Sequence, residues 1–370
     1  MGRVFFLGAG FSKHAGFPLG GELLSFVRQE LNNSKDYFDQ SCYSPILERV
    51  IELYKSSNLS HFASNFELLL TSLSLLLAYN DKDFIDKLRP IYDEFVGSYD
   101  SKRYFLPELI LGRITYGIRN AFLNHHMKIC DYWDSPFICD EIIAGAYSRF
   151  FDILEAGDVI ITLNYDVLCE QGLWNKRKWT FLDGYGFKKE KEDLMDKDKV
   201  HLYTQAEESQ IKVLKLHGSV NWAGDYDKDG IILNDLQRYF HGYSGNDYER
   251  ATGDQTITLV LPSYLTSYIK RKFILEIWRQ ARECIINCDQ LYFIGYSLSD
   301  IDSALQYMLY DAISSNQKLN KGDIYVIDNQ SSDGTFEFFY KKDISMKFNK
   351  FLNGKYTFIN KAFEDWIMDK

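Results

Sequence analysis

A chain of 370 residues exceeds the usual size of one domain, so two domains or a core domain with a large insertion are expected. The hydrophobic fraction of 46%, with 27 Phe and 26 Tyr against 6 Pro, excludes a disordered chain. The net charge of -10, with no basic patch, argues against nucleic acid as a direct ligand.

The chain opens with a short apolar run, Val4-Phe5-Phe6-Leu7, that breaks into Gly8-Ala9-Gly10-Phe11-Ser12. Closely spaced glycines after a strand let main-chain N–H groups approach a phosphate at the mouth of a helix, so the turn points to a nucleotide. The third glycine of the usual dinucleotide fingerprint is replaced by Lys13. The apolar run is too short for a signal-peptide core, and a cytoplasmic location is expected.

From about Leu19 to Tyr147 the pattern is helical, with stretches at 45–55, 62–79, 82–97 and 107–130, which predicts a helical insertion domain over 19–147. Its longest uncharged tract, Leu68 to Asn80, falls short of the ~20 residues of a membrane span and reads as a buried helix. The cysteines at 42, 130, 139, 169, 284 and 288 include no Cys-x-x-Cys pair, so reduced, mostly buried thiols and no metal site are expected.

Strand signals resume at 158–163, 211–216, 290–294, 324–327 and 356–359. Between them, Ile301, Ala304, Leu305, Met308, Leu309, Ala312 and Ile313 follow the helical period behind Ser299 and Asp300, the expected cap. This alternation predicts an α/β fold: a Rossmann-like parallel sheet with helices on both faces, formed by 1–18 and 148–370. The charged run 188–199 reads as a solvated loop, and 223–254 as a long surface excursion. Within the latter, Asp225-x-Asp227-x-Asp229-Gly230 opens like a calcium loop, but Leu236 stands where a bidentate Glu is required, so calcium is not expected.

Four strands end in polar groups: Leu163-Asn164-Tyr165-Asp166, Leu216-His217-Gly218-Ser219, Gly295-Tyr296-Ser297-Leu298 and Asp328-Asn329. In a parallel sheet these ends share one edge, where ligands bind, so the four segments should converge. Singly, each has an ordinary structural use as an Asx turn, a helix cap or a core hydrogen bond.

Together and in this order they resemble the sirtuin family, whose NAD site combines Gly-Ala-Gly-x-Ser, Asn-x-Asp, a His-Gly step, a Gly-x-Ser-Leu turn and a late strand ending near an Asn. The resemblance covers about residues 1–18 and 158–330. It implies Asn164 and His217 as catalytic residues, Asn164 bonding the nicotinamide ribose or an attacking water, and His217 acting as general base. Imidazole suits proton exchange near neutral pH. It further implies Gly8, Ala9, Gly10, Phe11 and Ser12 at the pyrophosphate, supported by Gly295 and Ser297, Asp166 at the carboxamide of nicotinamide, and Asp328 and Asn329 at the adenosine ribose.

Three departures matter. Both Cys-x-x-Cys pairs of the deacylating sirtuins are absent, Leu19-Gly20-Gly21 follows Phe17-Pro18 where sirtuins carry Asp-Phe-Arg, and Leu163 stands where sirtuins usually place Gln. With its insertion, the chain resembles the sirtuin-like NAD hydrolases of bacterial anti-phage defence, including those working with a HerA-type ATPase. That implies NAD as substrate, nicotinamide and ADP-ribose as products, a homo-oligomer, and a HerA-type ATPase as a candidate partner. Two other functions stand on the same residues: NAD-dependent protein deacylation, opposed by the missing zinc ribbon, and a non-catalytic NAD or ADP-ribose sensor, which would not require a base beside the ribose.

Overall fold

The apolar run at the start of the chain becomes a central strand. A computed structural model describes residues 2–34, 39–79, 81–95, 106–129, 141–180, 183–186, 208–225, 231–233, 255–259, 272–298, 302–320, 322–329 and 337–370. The strands in chain order are β1 (Arg3–Leu7), β2 (Val159–Thr162), β3 (Lys212–Lys215), β4 (Gly218–Asp225), β5 (Ile231–Leu233), β6 (Gln255–Leu259), β7 (Gln290–Ile294), β8 (Ile324–Asp328) and β9 (Thr357–Asn360). Six of them form one sheet in the order β3-β2-β1-β7-β8-β9, and every neighbouring pair is parallel.

β1 pairs on both sides, Leu7 lying opposite Thr162 and Ile294, and Val4, Phe5, Phe6 and Leu7 are all buried. Burial on both faces explains why this strand reads as a continuous apolar run rather than an alternation. The register places Phe5 beside Tyr292 and Tyr292 beside Tyr325, and their rings stack at 4.9 and 4.7 Å, an aromatic ladder across three strands. At the opposite end of the sheet from the glycine turn, the Arg3 guanidinium donates to Asp158 Oδ2 at 2.6 Å and to the Ile153 carbonyl at 2.8 Å.

The helices are α1 (Ala9–Lys13), α2 (Leu23–Asn33), α3 (Ser44–Lys55), α4 (Phe66–Ala78), α5 (Lys82–Phe95), α6 (Leu106–Ile129), α7 (Glu141–Ile153), α8 (Leu168–Asn175), α9 (Lys272–Asn287), α10 (Ser303–Ser315), α11 (Glu337–Leu352) and α12 (Phe363–Met368). The expected stretches at 45–55, 62–79, 82–97 and 107–130 are thus helical wherever they are described, apart from 62–65, where a 3-10 turn over Ser60–Ser64 and then Asn65 precede α4, and Tyr79, a turn residue after α4. Leu69, Leu70 and Leu73 bury the middle of α4. Among the described residues no helix is long and apolar enough to cross a membrane. Helix α6 ties this segment to β4 and to the turn after α1: Arg119 Nε donates to the Val220 carbonyl at 3.0 Å, and His125 Nε2 lies 3.0 Å from the Ala15 carbonyl. Cys42, Cys169 and Cys288 are buried free thiols and Cys284 is half-buried, while Cys130 and Cys139 fall outside the described residues. Burial pushes the Cys288 thiol up to about 12.

Two expectations are corrected. The segment read as a surface excursion contributes to a second sheet, antiparallel, in the order β5-β4-β6. Its Gly- and Asp-rich composition hid strands as short as Ile231–Leu233. The cap of α10 is Asp302, whose Oδ1 accepts the Leu305 N–H at 2.9 Å. Ser299 and Asp300 lie outside the described residues, as do the run 188–199 and most of the calcium-like loop.

Candidate active site

The C-terminal ends of β1, β2, β7 and β8, with the turn that follows β3, surround one cavity of about 810 Å³. That volume lies in the range of ligand pockets, roughly 300–1,000 Å³. Gly8, Ala9, Gly10, Ser12, Asn164, Asp166, His217, Gly295, Ser297, Asp328 and Asn329 all line it. The sheet therefore brings together eleven of the residues singled out from sequence, drawn from five separate segments.

Phe11 is the exception. Its ring is fully buried against Tyr147, Phe150 and Phe363, with centroids 5.2, 5.2 and 4.6 Å away, and its N–H donates to the Gly8 carbonyl. An aromatic side chain inside a one-turn helix has a core face to fill, and Phe11 fills it.

The glycines serve the packing of two turns on each other. The Gly8 N–H continues the sheet to the Ile294 carbonyl at 3.0 Å, and the Gly10 N–H reaches the Gly295 carbonyl at 2.9 Å. Gly295 has φ +60°, and a Cβ there would sit 2.3 Å from the Phe11 nitrogen; one on Gly8 would sit 2.4 Å from the Gly295 oxygen. Side chains are excluded by neighbouring backbone, so the two turns form a floor only when both lack Cβ atoms. With the Gly8 and Gly10 N–H groups engaged, the donors on this turn for an anionic ligand are narrowed to groups such as the Ala9 N–H, which an α-helix cannot use at its first position. Across the floor, Leu298 is a non-glycine residue at φ +52°.

Asn164 has a fixed amide. Its Nδ2 donates to the Gly8 carbonyl and to Ser12 Oγ, both at 3.0 Å, and a carbonyl accepts only from the nitrogen end. Oδ1 is left as the atom that can accept a hydrogen bond from a ligand or water. Thr162 supports this arrangement: its hydroxyl donates to the Leu7 carbonyl at 3.0 Å and accepts the Asn164 N–H at 3.1 Å. Asp166 Oδ1 accepts the Leu168 N–H at 3.1 Å, and Oδ2 has no partner among the described residues.

His217 is buried at 3% exposure in the turn between β3 and β4. Its Nε2 lies 2.8 Å from Asp302 Oδ2, and Nδ1 has no partner among the described residues. The turn is held by the Leu216 carbonyl, which accepts Trp278 Nε1–H at 2.9 Å, and by Gly218 at φ +78°. Sequence reasoning missed Asp302, although its position three residues before Leu305 in the apolar series is an N-cap spacing.

Other walls also went unseen. Phe122 of α6 and Phe17 stack at 5.7 Å, Tyr165 meets Phe122 edge-on at 6.0 Å, and all three line an apolar end of the cavity together with Leu23. Asn65, before α4, lines it too, so the segment between β1 and β2 contributes to the wall. On another side His14 Nδ1 lies 3.3 Å from Glu364 Oε1, joining the turn after β1 to α12. Among the described residues no group of three or more His, Cys, Asp or Glu side chains is arranged to hold a metal ion.

Residues 158–346 match the family model for the SIR2-like domain. A comparison with curated proteins finds no match. The family match begins at β2, so β1 and its glycine turn lie outside it and join the site through strand pairing with β2 and β7 and through the hydrogen bonds to Asn164 and Gly295. A parallel sheet, glycine turns packed at its C-terminal edge, and a histidine and an asparagine opening onto the same cavity accord with that match, which covers just over half of the 370 residues: the chain belongs to the SIR2-like family.

Proposed function

We propose that this protein is an NAD hydrolase that cleaves the bond between nicotinamide and ribose, releasing nicotinamide and ADP-ribose. The observation that carries this reading is the set of polar atoms around one cavity that have no partner among the described residues: His217 Nδ1, Asn164 Oδ1 and Asp166 Oδ2. A site with a base, an acceptor and a carboxylate suits attack by water on an electrophilic ribose carbon. In this reading Asn164 Oδ1 accepts a hydrogen bond from the attacking water or the nicotinamide ribose, and Asp166 Oδ2 accepts one from the carboxamide. Water adds to C1′ while the C1′–N bond breaks. The electron pair of that bond neutralises the nicotinamide ring, and His217 Nδ1 takes the proton from water. The apolar end formed by Phe17, Phe122 and Tyr165 suits a planar ring, and the Ala9 and Ser12 side of the floor suits the pyrophosphate. Asp328 and Asn329 are assigned to the adenosine ribose, and Ser297 supports the pyrophosphate.

The family resemblance extends the reading to depletion of NAD in anti-phage defence, by a homo-oligomer with a HerA-type ATPase as candidate partner. The test is incubation of the purified chain with NAD over a range of protein concentrations, following nicotinamide and ADP-ribose by chromatography. Asn164→Ala and His217→Ala, shown to be folded by circular dichroism, should each lower turnover by ~10²–10⁴-fold. Equal rates in parent and variants would defeat the assignment. A steep rise in specific activity with concentration would support assembly as the control.

A further inference from the structure

His217 does not stand alone in the cavity wall. Its Nε2 is 2.8 Å from Asp302 Oδ2, and the two side chains are 4% and 6% exposed. Asp302 is itself immobilised. Its other oxygen accepts the Leu305 N–H at 2.9 Å, and its main-chain carbonyl accepts the Gln306 N–H at 3.0 Å, so the first turn of α10 holds the carboxylate in place. A neutral imidazole carries one N–H and one lone pair, and an ionised carboxylate only accepts. The contact is therefore satisfied when the proton sits on Nε2.

We propose that Asp302 is the positioning residue of this site: it holds the His217 ring by Nε2, selects the tautomer protonated there, and leaves Nδ1 as the base that opens onto the cavity. The geometry requires no movement of either residue, because both are anchored from outside the cavity, His217 through the turn between β3 and β4 and Asp302 through α10. When Nδ1 takes a proton the ring becomes a cation, and the carboxylate 2.8 Å away stabilises it. The distance along the chain is 85 residues, so α10 and the turn after β3 must be correctly docked for the base to be competent. This inference rests on the reading of His217 as proton acceptor, and its test separates the two.

The discriminating variant is Asp302→Asn. Asparagine keeps the helix cap through Oδ1 but places an N–H₂ against Nε2, which favours the proton on Nδ1. Asp302→Ser keeps a capping hydroxyl and is too short to reach the ring. In the full chain with nitrogen-15-labelled histidine, the His217 ring signals, assigned with His217→Gln, should report an N–H at Nε2 in the parent and at Nδ1 in Asp302→Asn. NAD turnover should then fall by ~10²–10⁴-fold in kcat for both variants, with KM nearly unchanged. An unchanged tautomer in Asp302→Asn, or a kcat in Asp302→Ser equal to that of the parent, overturns the proposal and leaves Asp302 a helix cap only. If the parent cleaves no NAD, the ring signals still decide the role of Asp302, and the hydrolase reading alone fails.

Discussion

Lys215 and His217 are two residues apart and both buried, yet their surroundings differ in kind. Lys215 is 0% exposed, and all three of its protons are taken: by Glu170 Oε1 at 3.0 Å, by the Tyr165 carbonyl at 3.4 Å, and by the Asp166 carbonyl. Tyr185 donates to the same Glu170 oxygen at 3.0 Å and accepts from Asn221 Nδ2 at 2.9 Å. Burial pushes the Glu170 carboxyl up, and Lys215 only partly offsets it. Glu170 Oε2 and Asn221 Oδ1 are buried without a hydrogen-bond partner among the described residues, but none of Lys215, Glu170, Tyr185 and Asn221 lines the cavity, and the partners of Lys215 include the main chain of the Asn164-Tyr165-Asp166 segment. His217, which lines the cavity, has one nitrogen held and one without a partner among the described residues. Burial of a charge pair is thus common to a structural clamp and a reactive dyad. The difference lies in whether a polar atom is left facing space a ligand can enter.

The contrast can be broken by removing one member of each cluster. Lys215→Met should cost about 3–5 kcal/mol of unfolding free energy, because it leaves Glu170 buried without its cation. His217→Ala should cost less, about 1–2 kcal/mol, because water in the cavity can reach Asp302. Urea unfolding of both variants decides it, and equal losses would mean that the two clusters are structural alike.

A second test sharpens the contrast through pH. His126 lies beside the Lys215 cluster, bonded to Gln171, and its burial lowers its pKa to about 4. It is neutral in the folded chain near neutral pH, whereas the unfolded chain binds a proton below about 6.5. Stability attributable to this group is therefore fully present above pH ~6.5 and is lost as pH falls toward 4, by about 3 kcal/mol in all. His126→Gln should flatten that part of the profile. A slope unchanged in the variant would mean that other groups cause it.

A smaller effect is expected at the floor of the cavity. Gly295→Ala places a Cβ 2.3 Å from the Phe11 nitrogen at a φ of +60°. The two turns must part, at a cost of about 1–3 kcal/mol, and NAD turnover should fall with them. A variant with unaltered melting temperature and turnover would show that the close approach of the turns does not shape the site.

Much of the architecture was legible locally. β1, β2, β7 and β8 are short apolar runs ending in glycine or polar residues, and the helices between β1 and β2 keep a 3.6-residue period, so composition and spacing suffice to place them. The antiparallel sheet was not legible, because β5 is three residues long and β6 alternates Thr with apolar residues in a polar stretch. Among the site residues, those that end strands could be named because a parallel sheet aligns such ends on one edge. Phe11 was placed at the ligand by its position in the glycine turn, but a helix turns successive side chains about 100° apart, and this one faces the core. Asp302 was passed over because its local signal is that of a helix cap, and nothing nearby in sequence links it to a histidine 85 residues earlier.

The sequence by itself determined the class of fold, the order along the chain of the parallel-sheet strands and of the helical segment between β1 and β2, and the residue types at the strand ends, since these follow from periodicity and from the conformational demands of glycine. Only the tertiary structure decided which atoms of those residues are free: that Gly8 and Gly10 are occupied by the neighbouring turn, that Asn164 presents Oδ1, and that His217 is held by Asp302. Hydrogen-bond partners across a sheet are set by strand order and register, which bring together groups with no mark of one another in the local sequence.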